Sequence, residues 1–151
     1  MKLLKNPGSF RDPAGQVFDY ENRIIRIVKK SGKERYQYLR DNNIIKESID
    51  KGFLIQTKDV TDEFKNFDID DACYYLEHKK INYISYPYEW SFYQLKSAAL
   101  HHLDFQIFLL DKNVKLIDSS AYNIQFLNHK PIFIDILSLE KYQDGEYWLG
   151  H

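Results

Sequence analysis

Residues 114–136, VKLIDSSAYNIQFLNHKPIFIDI, constrain this chain more than any other stretch. Two short apolar runs, 123–127 and 131–136, flank the pair Asn128-His129, and that pattern predicts a β-hairpin. Asp118 precedes the first run, Asn123 opens it, and Asp135 is embedded near the end of the second. A carboxylate between Ile134 and Ile136 is costly in a strand of Ile and Phe unless it is hydrogen-bonded, paired or bound to a cation. A hairpin brings Asp118, Asn123 and Asp135 toward one end. Three oxygen-bearing side chains converging there suit a hard divalent cation and a phosphate ester. Each has a plainer reading as well. Asp118 is placed to cap backbone donors of its own loop, Asn123 to open a strand, and Asp135 to accept hydrogen bonds from a backbone turn.

Asp118-Ser119-Ser120-Ala121-Tyr122-Asn123 sets an Asn five residues after an Asp, followed by a hairpin and a second Asp. That order resembles the catalytic loop and metal site of protein kinases and aminoglycoside-type phosphotransferases. The resemblance implies Asp118 as catalytic base and Asn123 and Asp135 as Mg²⁺ ligands, with ATP as the companion ligand. Two departures stand out. Leu116-Ile117 replaces the His-Arg or His-Gly before the first Asp, and Ile136-Leu137 replaces the Phe-Gly after the second.

The rest of the chain predicts an α+β fold. Irregular entry residues, with turn signals at Pro7-Gly8 and Asp12-Pro13, lead to strands over 16–20 and 23–28 joined at Glu21-Asn22. A helical pattern spans 33–49, with Asp41-Asn42-Asn43 as a break and Gly52 as a stop. Strands are expected over 53–56, 73–78 and 81–86, the last two as a hairpin or bent pair, with a charged connection over 58–67. Pro87 ends the last strand, and Ser91 is a good N-cap for a long helix over 92–110. Its core stripe would hold Leu95, Ala98, Ala99, His102, Phe105, Gln106 and Leu109. His101-His102 lack a carboxylate or Cys at ligand spacing and read as one exposed and one core-facing residue. Glu89-Trp90, at the crossover before the helix, would face an adenine-sized slot if nucleotide binds there. The glycine-rich phosphate loop is missing, and Arg26, Lys29 and Lys30 fit no phosphate-anchoring pattern.

Composition narrows the function classes. A formal charge of −1 and no basic run argue against a nucleic-acid binder. The single Cys73 rules out an internal disulfide. No apolar run reaches the ~18 residues of a membrane span, and the N-terminus lacks a signal-peptide core, so the chain reads as cytoplasmic.

A narrower resemblance covers most of the chain from Phe10 onward. ISYPYEWSFYQLKSAAL, LIDSSAYNIQF and PIFIDILSLEKY resemble the region preceding the methyltransferase domain of bacterial SAM-dependent methyltransferases, some of them nodulation-related. It implies that residues 1–151 form one kinase-like module with an incomplete second lobe, the leading fragment of a longer protein. SAM would then bind only through a downstream domain, since no glycine-rich cofactor loop is present here. Two functions follow as expectations. One is an accessory module that binds a small-molecule or nucleotide ligand with Mg²⁺ and serves the downstream methyltransferase domain. The other is an active phosphotransferase, against which the departures beside both aspartates weigh.

Overall fold

The computed structural model describes residues 4–5, 14–67 and 69–147. The expected turns at Pro7-Gly8 and Asp12-Pro13 lie outside them. The fold is α+β, with a five-stranded antiparallel sheet, two small β-pairs and several helices. Two compact units divide the chain: one runs to Tyr38 and resumes over Gln56–Lys80, and the other takes in Leu39–Ile55 and continues from Ile81.

The first unit is built on the sheet β1-β2-β3-β5-β4. Its strands are β1 (Leu4–Lys5), β2 (Gly15–Tyr20), β3 (Arg23–Lys29), β4 (Thr57–Asp59) and β5 (Ala72–His78). Glu21 and Asn22 both take positive φ, 47° and 69°, which gives the two-residue turn whose twist matches a tight hairpin. Phe18, Ile25, Ile27, Val60, Phe64 and Tyr75 close the core on one face of this sheet. Phe64 comes from a single turn, α3 (Thr61–Phe64), and packs against Tyr20, Phe67 and Tyr75 at 5.3–5.8 Å between ring centroids. Arg23 grips Glu77 with two hydrogen bonds of 2.9 and 2.7 Å and reaches Glu63 at 3.0 Å, which holds the Glu77 carboxyl below its usual range.

Helix α1 (Lys30–Asp41) follows β3 directly, three residues earlier than the sequence pattern predicts. A Cβ on Gly32 would sit 2.9 Å from the Ala14 carbonyl oxygen, so glycine is what lets the first turn of α1 approach that strand end. The expected break comes at Asn43, whose φ of 59° ends one helix before α2 (Ile44–Asp50) begins. Gly52, at φ 77°, stops α2 as expected.

Two expected strands are absent. Residues 53–56 form no strand; Leu54 makes an isolated parallel bridge to Phe133, and the strand itself lies later, at β4. Residues 81–86 are irregular. β5 is already paired with β3 on one side and β4 on the other, so it has no edge left for them. The connection over 58–67 contains the end of β4 and the short α3.

Arg26 and Lys30 are engaged locally. Buried Arg26 donates from Nε to His78 Nε2 at 3.2 Å, which makes that nitrogen an acceptor and puts the imidazole proton on Nδ1, 2.8 Å from Thr57 Oγ1. Lys30 pairs with Asp71 at 2.9 Å.

The second unit is centred on α4 (Phe92–Leu110), whose bounds match the sequence reading. Ser91 caps it in a capping box with Gln94. Ala98, His102, Phe105, Gln106 and Leu109 are buried as expected, but Leu95 and Ala99 are exposed. Phe105 stacks on Phe53 at 5.2 Å and meets Phe133 edge-on at 5.6 Å. After α4 come β6 (Val114–Leu116), β7 (Ile124–Leu127), β8 (Lys130–Phe133) and β9 (Leu139–Lys141), pairing β6 with β9 and β7 with β8.

Candidate functional site

The second unit carries the candidate site residues named from the sequence, Glu89, Trp90, Asp118, Asn123 and Asp135. Buried Gln106, on the inner face of α4, accepts from Leu116 N–H at 2.8 Å and so ties β6 to the helix. Just past β6, Asp118 Oδ1 accepts from Ser120 N–H at 3.0 Å, closing a local turn. A single 3₁₀ turn over Ala121–Asn123 then delivers Asn123 to the start of β7. The β7–β8 hairpin turns at Asn128 and His129, both at positive φ, as the sequence predicts.

Asp135 differs from expectation. β8 ends at Phe133, so Asp135 is not embedded in a strand; it caps a 3₁₀ turn over Ile136–Ser138. Its Oδ1 accepts from Leu137 N–H at 3.2 Å and its Oδ2 from Ser138 Oγ at 2.6 Å. Ser138 and Gln125 are missed by motif reading. A polar residue inside an otherwise apolar run is the signal that marks both.

A closed circuit of hydrogen bonds holds the three residues together. Asn123 Nδ2 donates to the Asp118 carbonyl at 3.2 Å, and the Asn123 carbonyl accepts from Ile134 N–H at 2.9 Å. Asp135 follows Ile134 and takes the Ser138 hydroxyl; the Ser138 carbonyl accepts from Ile117 N–H at 2.9 Å, which returns to Asp118. Asp118 is exposed, while Asn123 and Asp135 are half-buried. Both aspartates therefore act as local caps and stand at the same end of the hairpin.

Glu89 and Trp90 are less suited to a nucleotide slot. Glu89 folds back to accept from Tyr86 N–H at 2.7 Å. Trp90 is buried, donates Nε1–H to Ser85 Oγ at 2.9 Å and meets Phe126 edge-on at 5.1 Å. Ser85 is itself clamped by buried Gln125, which accepts from Ser85 N–H at 3.0 Å and donates to Ser85 C=O at 2.9 Å. Gln125→Leu would leave both backbone groups buried and unpaired, so it should cost about 1–3 kcal/mol in chemical denaturation. Gln125→Glu, which keeps an acceptor for Ser85 N–H, should lose less.

His102 is buried beside Phe133, and burial pushes its pKa down to about 4. His101 is half-buried, with a ring nitrogen 3.0 Å from the Phe53 carbonyl. Among the described residues, no group of three or more His, Cys, Asp or Glu side chains is placed to hold a metal. A cation at the hairpin end would depend on the two carboxylates and the Asn123 amide. Among the described residues, no helix is long and apolar enough to cross a membrane.

No protein-family model matches the chain. A curated relative does. Over 144 residues the chain is 40% identical to nodulation protein NoeA of Rhizobium meliloti (strain 1021). Those residues make up 95% of this chain but 30% of NoeA, so the chain spans less than a third of the relative's length.

Proposed function

We propose that the chain is a kinase-like accessory module that precedes a SAM-dependent methyltransferase domain in a longer polypeptide. In this reading it binds a phosphate-bearing ligand with Mg²⁺ at the hairpin end. The observation that supports it is the hydrogen-bond circuit, through the Asn123 amide and main-chain groups, that links Asp118, Asn123 and Asp135. The donor set fits a hard cation, since every group offers oxygen and two hydrogen bonds orient the Asp135 carboxylate. Asn123 and Asp135 would hold the cation, which would offset charge on the phosphate oxygens. The element order also supports a kinase-like scaffold: antiparallel sheet and helix, long helix, Asp–Asn loop, hairpin, second Asp. SAM would enter only through the downstream domain. By its match to NoeA, the whole protein would serve nodulation.

A second reading, active phosphotransfer, is favoured by one observation. The Asp118 side chain is exposed and spends one carboxylate oxygen on Ser120, so the group is placed to orient an acceptor hydroxyl. The Leu116-Ile117 and Ile136-Leu137 departures, the buried Trp90 and the local pairing of Arg26 and Lys30 weigh toward the accessory role.

Calorimetric titration with Mg²⁺ and ATP together should give saturable heat that Asn123→Ala greatly weakens. Binding without ATP turnover supports the accessory role; turnover abolished by Asp118→Asn supports the enzyme. No heat in either case overturns the site.

A further inference from the structure

Two buried polar atoms beside the Asp118 loop take no part in the hydrogen-bond circuit. Among the described residues, His102 Nε2 and Ser119 Oγ have no hydrogen-bond partner, and each residue is only 8% exposed. Leaving such atoms unpaired is costly, the more so for His102, which lies against the Phe133 ring at 5.6 Å. The chain path brings the two together. β6 runs back along α4, with Leu116 N–H bonded to Gln106 at 2.8 Å. His102 lies about 6 Å, one helical turn, further back on the same buried face. Three residues of extended chain past Leu116 reach about 10 Å, enough to bring Ser119 level with His102. Asp118, the neighbour of Ser119, is close enough to draw the His102 pKa up against the stronger lowering by burial.

We propose that His102 is a positioning residue for Asp118, holding Ser119 through one internal water bonded to both His102 Nε2 and Ser119 Oγ. Internal waters make about two to four hydrogen bonds, to buried polar groups that lack partners in the protein. A hydroxyl donates and accepts, and an uncharged imidazole Nε2 does one or the other, so a water satisfies either tautomer. The circuit fixes the loop through main-chain groups, Ile117 N–H and the Asp118 carbonyl. Ser119 lies between exposed Asp118 and half-buried Ser120, and its inward side chain gives the loop an anchor on α4. A loop tethered in this way has less ordering left to do when a ligand arrives, so Asp118 meets it already in place. The bridge itself needs no cation; its effect on binding rests on the hairpin-end site proposed above.

A double-mutant cycle at neutral pH tests it, read by urea midpoints without ligand and by calorimetry with Mg²⁺ and ATP. Ser119→Ala should lower the midpoint of the wild type but not that of His102→Leu, because the bridge is already lost there. The same substitution should weaken Mg²⁺ and ATP binding about tenfold in the wild type and leave His102→Leu no weaker than before. His102→Gln places its amide nitrogen where imidazole Nε2 stands and should bind nearly as the wild type does. His102→Asn, whose amide falls at the Nδ1 position, should not. Equal effects of Ser119→Ala in both backgrounds overturn the proposal. So does a crystal structure at about 1.5 Å with no water within about 3.2 Å of both atoms. A wild type that gives no heat while the midpoints stay coupled sinks the hairpin-end site and keeps the bridge.

Discussion

Phe105→Ala should destabilise the second unit by about 3–5 kcal/mol, the range for emptying a fully buried aromatic site. Phe105 has no exposed surface. Its ring lies nearly parallel to Phe53, at 11°, and presents an edge to Phe133, whose backbone N–H and C=O bond to Phe53 and Ile55. One side chain thus joins α4, the segment after α2, and the end of β8. These elements are far apart in sequence and cannot close independently over the vacancy, so the cavity term should persist. Asp104→Ala, at the exposed neighbouring position, should stay within about 0.5 kcal/mol. Urea denaturation followed by circular dichroism separates the two through a shift in midpoint at constant slope.

Stability should also fall by about 3 kcal/mol as pH drops from 6.5 to 4, and His102 should account for the loss. Burial among apolar groups holds its folded-state pKa near 4 against an ordinary 6.5; neighbouring His101 pushes it the same way, and Asp118 opposes weakly. The unfolded chain therefore takes up this proton first as the pH falls. The contribution is complete above pH 6.5, drains between 6.5 and 4, and levels off below. Burial lowers the His101 pKa too, in the same direction, against the Phe53 carbonyl and Asp104. His102→Leu removes the titrating group along with a buried Nε2 that has no hydrogen-bond partner among the described residues. That variant should lose most of the acid sensitivity and melt above the wild type at pH 5. Thermal melts at pH 7, 6, 5 and 4 provide the check.

Local signals carried far in this chain. The two hairpin turns were legible because Glu21-Asn22 and Asn128-His129 are short polar pairs between apolar runs. α4 was legible because Ser91 and Gln94 form a capping box at its start and the apolar spacing runs for five turns. What the sequence concealed was competition for partners. Residues 81–86 look like a strand, yet β5 has both edges occupied; residues 53–56 look like one, yet they bridge to Phe133 while β4 forms next door. Leu95 and Ala99 fit the apolar period of α4 but belong to its outer stripe, and periodicity cannot tell two apolar faces of one helix apart. At the candidate site, residue types and order were readable. The role of Ser138 was not, because a serine hydroxyl reaching a carboxylate three residues away leaves no distinctive spacing.

Asp135 brings the two levels of the account into one measurement. A bare buried carboxylate would make Asp135→Asn stabilising without metal, since removing its charge removes a desolvation penalty. The hydrogen bonds from Leu137 N–H and Ser138 Oγ reverse that sign, so in chelator the variant should lose about 1–3 kcal/mol. The decisive comparison is the gain on adding Mg²⁺ and ATP. At ligand about a hundredfold above its dissociation constant, binding to the folded state alone adds about 2.7 kcal/mol. Melting curves of wild type and Asp135→Asn, each in chelator and in Mg²⁺ with ATP, should show a ligand-dependent rise in the wild type and little or none in the variant. A wild-type melting temperature that does not move, or an equal rise in both proteins, would contradict the site at Asp118, Asn123 and Asp135.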